Sequence, residues 1–74
     1  SNAVYDDFRK ASKILTELYA YYLEKPDSFY REAGRNYNSG SLATDVCDFI
    51  SGMTDRYAFS AYEKIFLPQP WILY

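Results

Sequence analysis

The 74-residue chain has room for one small domain, and a chain of this size buries only roughly 60% of its unfolded surface on folding. Its single cysteine, Cys47, excludes an internal disulfide, and the lack of histidine removes most metal and proton-shuttle chemistry. A net charge of −2, from eight basic and ten acidic residues mixed along the chain, leaves no electrostatic footprint for nucleic acid or for an anionic membrane.

Aromatic content sets the chain apart: nine Tyr, five Phe and one Trp make up 20% of it. Each ring can bury ~150–250 Å², so even a small core can be filled. Each buried hydroxyl still needs a partner, and nine phenols are hard to satisfy in so small a domain. Some tyrosines are therefore expected at a surface that meets something else. An unstapled core of this size supplies roughly 3–5 kcal/mol, which points to dependence on a partner or on the rest of a longer protein.

Ser1-Asn2-Ala3 reads as the remnant of a cleaved tag and is set aside. The helical domain is expected over residues 4–66 and an apolar tail over 67–74. No run approaches the ~18 apolar residues of a spanning helix and no secretory signal is present, so the expected setting is cytoplasmic.

The first predicted element runs from about Val4 to Glu24. Phe8, Ala11, Leu15, Leu18 and Tyr22 recur at helical spacing, widened by Tyr5, Ile14, Tyr19 and Tyr21. Asp6 and Asp7 are expected in the first turn and Lys25 at the end, as the helix dipole favours. Pro26 stops the helix. Next, Asp27 or Ser28 is expected to cap a short turn through Ser28–Ala33, closed by Gly34. Asn36, Asn38, Ser39 and Gly40 then read as a loop.

A second long helix is expected from Ser41 to Phe66, capped by Ser39 or Ser41. Leu42, Val46, Phe49, Ile50, Met53 and Tyr57 form one stripe. Beyond Tyr57 the apolar centre, carried by Ala58, Ala61, Ile65 and Phe66, rotates by very roughly 100°. Either the helix bends or its two halves face different neighbours; Gly52, which costs ~1 kcal/mol relative to Ala within a helix, sits near that change, so a kink or close helix crossing is expected there. Two prolines in Leu67-Pro68-Gln69-Pro70-Trp71-Ile72-Leu73-Tyr74 favour an extended tail lying in a groove of this domain or a neighbour. The fold class that follows is all-α: two long antiparallel helices, a short helical connection and an extended tail.

Few residues can carry chemistry. Nucleophilic catalysis of the Ser-His or Cys-His kind lacks its base, and Cys47 reads as a buried small hydrophobe. Ser41, Thr44, Asp45, Asp48, Gly52 and Asp55 are expected on one helix face opposite the apolar stripe. Asp48 and Asp55 would lie roughly 10 Å apart by helical rise, too far for a tight carboxylate pair. A solvated face or ion pairs with Arg56 and its neighbours is the plainest reading. A polar interface with another domain, and a cation held with outside ligands, stand behind it. Arg56 suits bidentate recognition of carboxylate or phosphate, though pairing with Asp55 is the simpler expectation. The tyrosines of the first helix belong to core and interface, since no basic groove accompanies them for nucleic acid.

The stretch Asp48-Phe-Ile-Ser-Gly-Met-Thr-Asp-Arg-Tyr-Ala58, preceded by Asp45-Val-Cys and followed by Tyr62 and Ile65-Phe66, resembles the C-terminal portion of bacterial deoxyguanosine triphosphate triphosphohydrolases. These form the dGTPase branch of the HD-type phosphohydrolases. Lys13-Ile-Leu-Thr-Glu-Leu-Tyr-Ala-Tyr-Tyr-Leu-Glu-Lys-Pro26 fits the same family. The resemblance implies a phosphohydrolase-associated helical domain that follows a catalytic HD domain. It places the metal site, built from histidines and aspartates, in that upstream domain. It also implies that the parent releases tripolyphosphate from a deoxynucleoside triphosphate with a divalent metal, while this chain holds no cofactor and no catalytic residue. Asp48, Thr54, Asp55, Arg56 and Tyr57 are the motif positions. They are expected to pack against the HD domain or its nucleotide pocket. The partners implied are that upstream domain and further copies of the chain, with no membrane or nucleic acid. The alternative is a free-standing helical hairpin that binds a protein through its tyrosine-rich face.

Overall fold

The computed structural model describes residues 2–67, with side chains from residue 9 onward. The path expected for 68–74, and the side chains of Tyr5 and Phe8, lie outside the described residues. Four helices are present among the described residues: α1 (Asn2–Glu24), α2 (Pro26–Ala33), α3 (Leu42–Ser51) and α4 (Asp55–Phe66). The all-α class stands, but the pair of long helices does not.

α1 ends at Glu24, as Pro26 requires. Because it begins at Asn2, Asp6 and Asp7 fall beyond its first turn, and Lys25 lies just past its last residue. Lys25 is instead the N-cap of α2 and donates no side-chain cap. The short helix thus starts two residues before the expected Ser28. Neither Asp27 nor Ser28 caps it; proline at the first helical position gives up an N–H that has no helical partner there anyway. Gly34 closes α2 at φ 85°, a left-handed conformation that favours glycine. Ser41 caps α3, its hydroxyl accepting from the Thr44 N–H at 3.3 Å, while Ser39 braces Ser41 from the preceding turn.

The expected helix over 41–66 breaks in two. The Gly52 and Met53 N–H groups bond back three residues, to Phe49 and Ile50 carbonyls at 3.2 and 3.0 Å, tightening and ending α3. Thr54 then takes an extended backbone and accepts from the Tyr57 N–H at 3.1 Å, opening α4. Gly52 has ordinary φ −89°, and a Cβ there would meet only carbonyls of its own last turn at 3.7 and 3.8 Å. No close helix crossing occurs at that glycine. The break also explains the rotated stripe, since the two halves are separate helices with separate buried faces.

The core takes pairs one turn apart from each long element: Leu18 and Tyr22 from α1, Val46 and Ile50 from α3, Ala58 and Ala61 from α4. Phe29 of α2 fills the centre. α1 touches all three other helices, and α2 also touches α3. Leu15, expected in the core, is instead exposed. No helix among the described residues is long and apolar enough to cross a membrane.

Replacing Thr54 by Ala removes a cap worth ~1 kcal/mol, whereas Thr54→Ser keeps it. Phe29→Ala costs ~3–5 kcal/mol, as much as a core of this size supplies. Urea unfolding followed by circular dichroism is expected to show a lowered midpoint for Thr54→Ala and little folded Phe29→Ala even without urea.

Candidate functional site

The motif residues gather at the joint between α3 and α4. Asp48 lies exposed on α3, and Thr54 caps α4. Asp55 occupies the first turn of α4, where the helix dipole favours its charge. Thr54 and Tyr57 are bonded to each other through the cap. The Tyr57 ring stands edge-on to Phe49, with centroids 6.3 Å apart, and its hydroxyl donates to the Glu32 carboxylate of α2. This contact ties the joint to a helix 25 residues earlier.

Asp48, Asp55 and Arg56 behave differently. Each is exposed, and none of their side chains forms a hydrogen bond or ion pair with any described residue. The expected Asp55–Arg56 pair is therefore not made, and helical rise no longer measures the Asp48–Asp55 spacing. Asp45 leaves the solvated face altogether. It is 4% exposed and accepts from the Ser39 N–H at 3.1 Å, closing the loop before α3. Cys47, expected to be buried, is exposed because Val46 and Ile50 carry the inward face. Among the described residues no three His, Cys, Asp or Glu side chains converge as metal ligands would.

Hollows flank the joint. One of about 250 Å³ is lined by Tyr37, Phe49, Gly52, Met53, Thr54 and Tyr57. Another, of about 320 Å³, runs between α1 and α4 past Ile14, Leu15, Met53, Ala58 and Phe59. Met53 and Thr54 form the ridge between them. Apolar floors beside unpaired charges are the make-up of a docking surface: the floor can be desolvated at little cost, and the charged rim fixes orientation.

Neither Tyr57 nor Tyr22 offers a base near neutral pH. Tyr57 is pushed up to about 12, first by its bond to Glu32 and then by burial and the same carboxylate's charge. Tyr22 is also pushed up to about 12, chiefly by burial. At the other end of α4, the Tyr62 hydroxyl donates to Glu17 at 2.9 Å, and Lys13 pairs with the same carboxylate at 2.5 Å. Those bonds hold Glu17 below the usual carboxylate range and Lys13 above the usual amine range. Glu32 and Tyr37 were not legible as site residues. Their partners are distant in sequence, and no local spacing marks them.

Both raised phenols hold protons in the folded state that the unfolded chain releases near pH 10. Their contribution to stability is complete below about pH 10 and is lost as the pH rises through about 12. Alkaline titration is expected to show tyrosinate absorbance rising together with loss of helix in that window. In Glu32→Gln, one phenol should ionise closer to pH 10, before the helix signal falls.

A family model described as the phosphohydrolase-associated domain matches residues 1–64. A deoxyguanosinetriphosphate triphosphohydrolase-like protein of Desulfatibacillum aliphaticivorans is 39% identical, over 93% of this chain and 21% of its own length. Proteins of the same name from Caldanaerobacter subterraneus subsp. tengcongensis and Geobacter sulfurreducens are 37% and 34% identical, over 88% and 80% of this chain. They are covered over 19% and 15% of their own lengths. The chain thus spans about a fifth or less of the curated relatives it matches. No solved structure matches.

Proposed function

The chain belongs to the phosphohydrolase-associated domain family, and from that premise we propose that it is the C-terminal accessory part of a deoxyguanosine triphosphate triphosphohydrolase-like protein. The carrying observation is the joint itself. Thr54 and Tyr57 are used up in building it, while Asp48, Asp55 and Arg56 point charge outward without partners among the described residues. Exposed charges beside the hollows of the joint suit attachment to another folded unit.

That unit is an upstream HD catalytic domain, which would hold the divalent metal and release tripolyphosphate from the deoxynucleoside triphosphate. The donor set here does not fit such a metal: the chain has no imidazole, and its described carboxylates do not converge. No catalytic step is assigned to it. Its work is positional. Arg56 offers a bidentate donor to a carboxylate of the neighbouring domain, and Asp48 and Asp55 accept from basic groups there. A cytoplasmic setting accompanies this reading.

Uncovered apolar surface supports a second contact, between copies. Leu15, Phe59 and Leu67 are 37%, 51% and 52% exposed, and such groups favour association when their neighbour is missing. Self-association of the isolated chain at high concentration follows, readable by sedimentation.

With dGTP and a divalent metal, the purified chain is expected to release no tripolyphosphate, and the longer protein that contains it is expected to do so. In that longer protein, Arg56→Ala should lower the rate by roughly fivefold or more, the equivalent of ~1 kcal/mol at an interface. Its melting of helix should be unchanged. Tripolyphosphate made by the chain alone would overturn the reading, as would full activity of Arg56→Ala.

A further inference from the structure

A different cleft, of about 230 Å³, opens between α1, α2 and α4, away from the motif. Tyr21 and Tyr22 reach it from α1, Ser28, Arg31 and Glu32 from α2, and Lys64 from α4. The wall is rich in donors. The Arg31 guanidinium donates to the Ser28 hydroxyl at 3.3 Å, and that oxygen lies 3.3 Å from the Tyr21 hydroxyl. Lys64 has no hydrogen bond or ion pair among the described residues.

Tyr22 supplies the second observation. It is 2% exposed and lines the cleft, yet its hydroxyl has no hydrogen-bond partner among the described residues. Every solvent-shielded side-chain oxygen and nitrogen there does have one. The Tyr22 hydroxyl is therefore not fully shielded from solvent, although the residue is 2% exposed, and the cleft is the hollow that Tyr22 lines. Glu32 is the single carboxylate among the described residues of the wall, and it already accepts from Tyr57. Among the described residues of the wall, two cations stand against one carboxylate, an excess of positive charge.

We propose that this cleft binds a compact phosphate group, with Tyr22, Arg31 and Lys64 donating to its oxygens. Donors arrive from three helices, which suits a tetrahedral anion; a planar carboxylate would leave some of them idle. The volume exceeds the roughly 30 Å³ share of one water several times over. It falls below the ~300–1,000 Å³ of sites that enclose drug-sized ligands. The cleft therefore takes a phosphate- or pyrophosphate-sized group rather than enclosing a whole nucleotide. This site is independent of the docking role proposed for the joint.

The test is calorimetric titration of the 74-residue chain with inorganic phosphate, pyrophosphate and acetate at matched ionic strength. Saturable binding of phosphate or pyrophosphate is expected, with acetate weaker. Tyr22→Phe, which keeps the ring, and Lys64→Gln should each weaken binding by roughly tenfold, the scale of one lost charge-assisted hydrogen bond. The exposed control Lys10→Gln should leave it unchanged. If Tyr22→Phe loses its fold, Lys64→Gln against Lys10→Gln decides alone. No saturable binding, acetate binding as well as phosphate, or equal loss in Lys10→Gln would overturn the proposal.

Discussion

Phe29 has no exposed surface, and four other rings surround it. Tyr30, Phe49, Tyr22 and Tyr37 have centroids 5.0, 5.7, 5.9 and 5.9 Å away. Aromatic contacts at such tilted and edge-on angles each add ~0.5–1.5 kcal/mol beyond the area they bury. An eight-residue helix is not stable alone, so α2 exists because this ring is gripped between α1 and α3. Its position is then set locally: Pro26 starts it one residue after Lys25, and Gly34 turns the chain out of it. Much of the high aromatic content is spent on that single junction, where a larger protein would use more chain.

Once α2 is fixed, the joint follows. Glu32 stands on the helix that Phe29 anchors, and it receives the Tyr57 hydroxyl. Phe49, packed on Phe29, also stands perpendicular to the Tyr57 ring. α4 is thus oriented from its first turn by two contacts that both trace back to the aromatic junction. The five residues gathered at the corner divide in consequence. Thr54 and Tyr57, though exposed, make the corner through the helix cap and the Glu32 contact, while Asp48, Asp55 and Arg56 are exposed with no side-chain partner among the described residues. A corner of this kind presents charges at fixed angles, which a single continuous helix would spread along one line.

Much of this was legible in the sequence, and the failures share one cause. α1 and its end at Pro26, the Ser41 cap and the apolar stripes depend on spacing and capping within a few residues, and these were readable. The rotation of the stripe past Tyr57 is also visible, but spacing alone does not separate a bent helix from two halves that face different neighbours. The decisive signal was Thr54 followed by Asp55, an N-cap and an acidic first turn inside an apparently continuous pattern. Asp45 and Cys47 exchanged places relative to expectation because helical phase alone does not reveal which loop folds back. Ser39 comes to Asp45 and buries it, while nothing covers Cys47. Glu32 could not be found at all from spacing, since its partner lies 25 residues on.

Solvent accessibility of the α3–α4 corner decides whether another folded unit docks on it. Hydroxyl-radical labelling of Met53 and Tyr57 and carbodiimide modification of Asp48 and Asp55 can be compared between this chain alone and the longer protein that contains it. The account predicts strong modification of all four in the isolated chain, and marked protection of them in the longer protein without any change in helix content. Equal modification in the two settings would show that nothing docks on the corner, and the outward charges would then be no more than a hydrated surface.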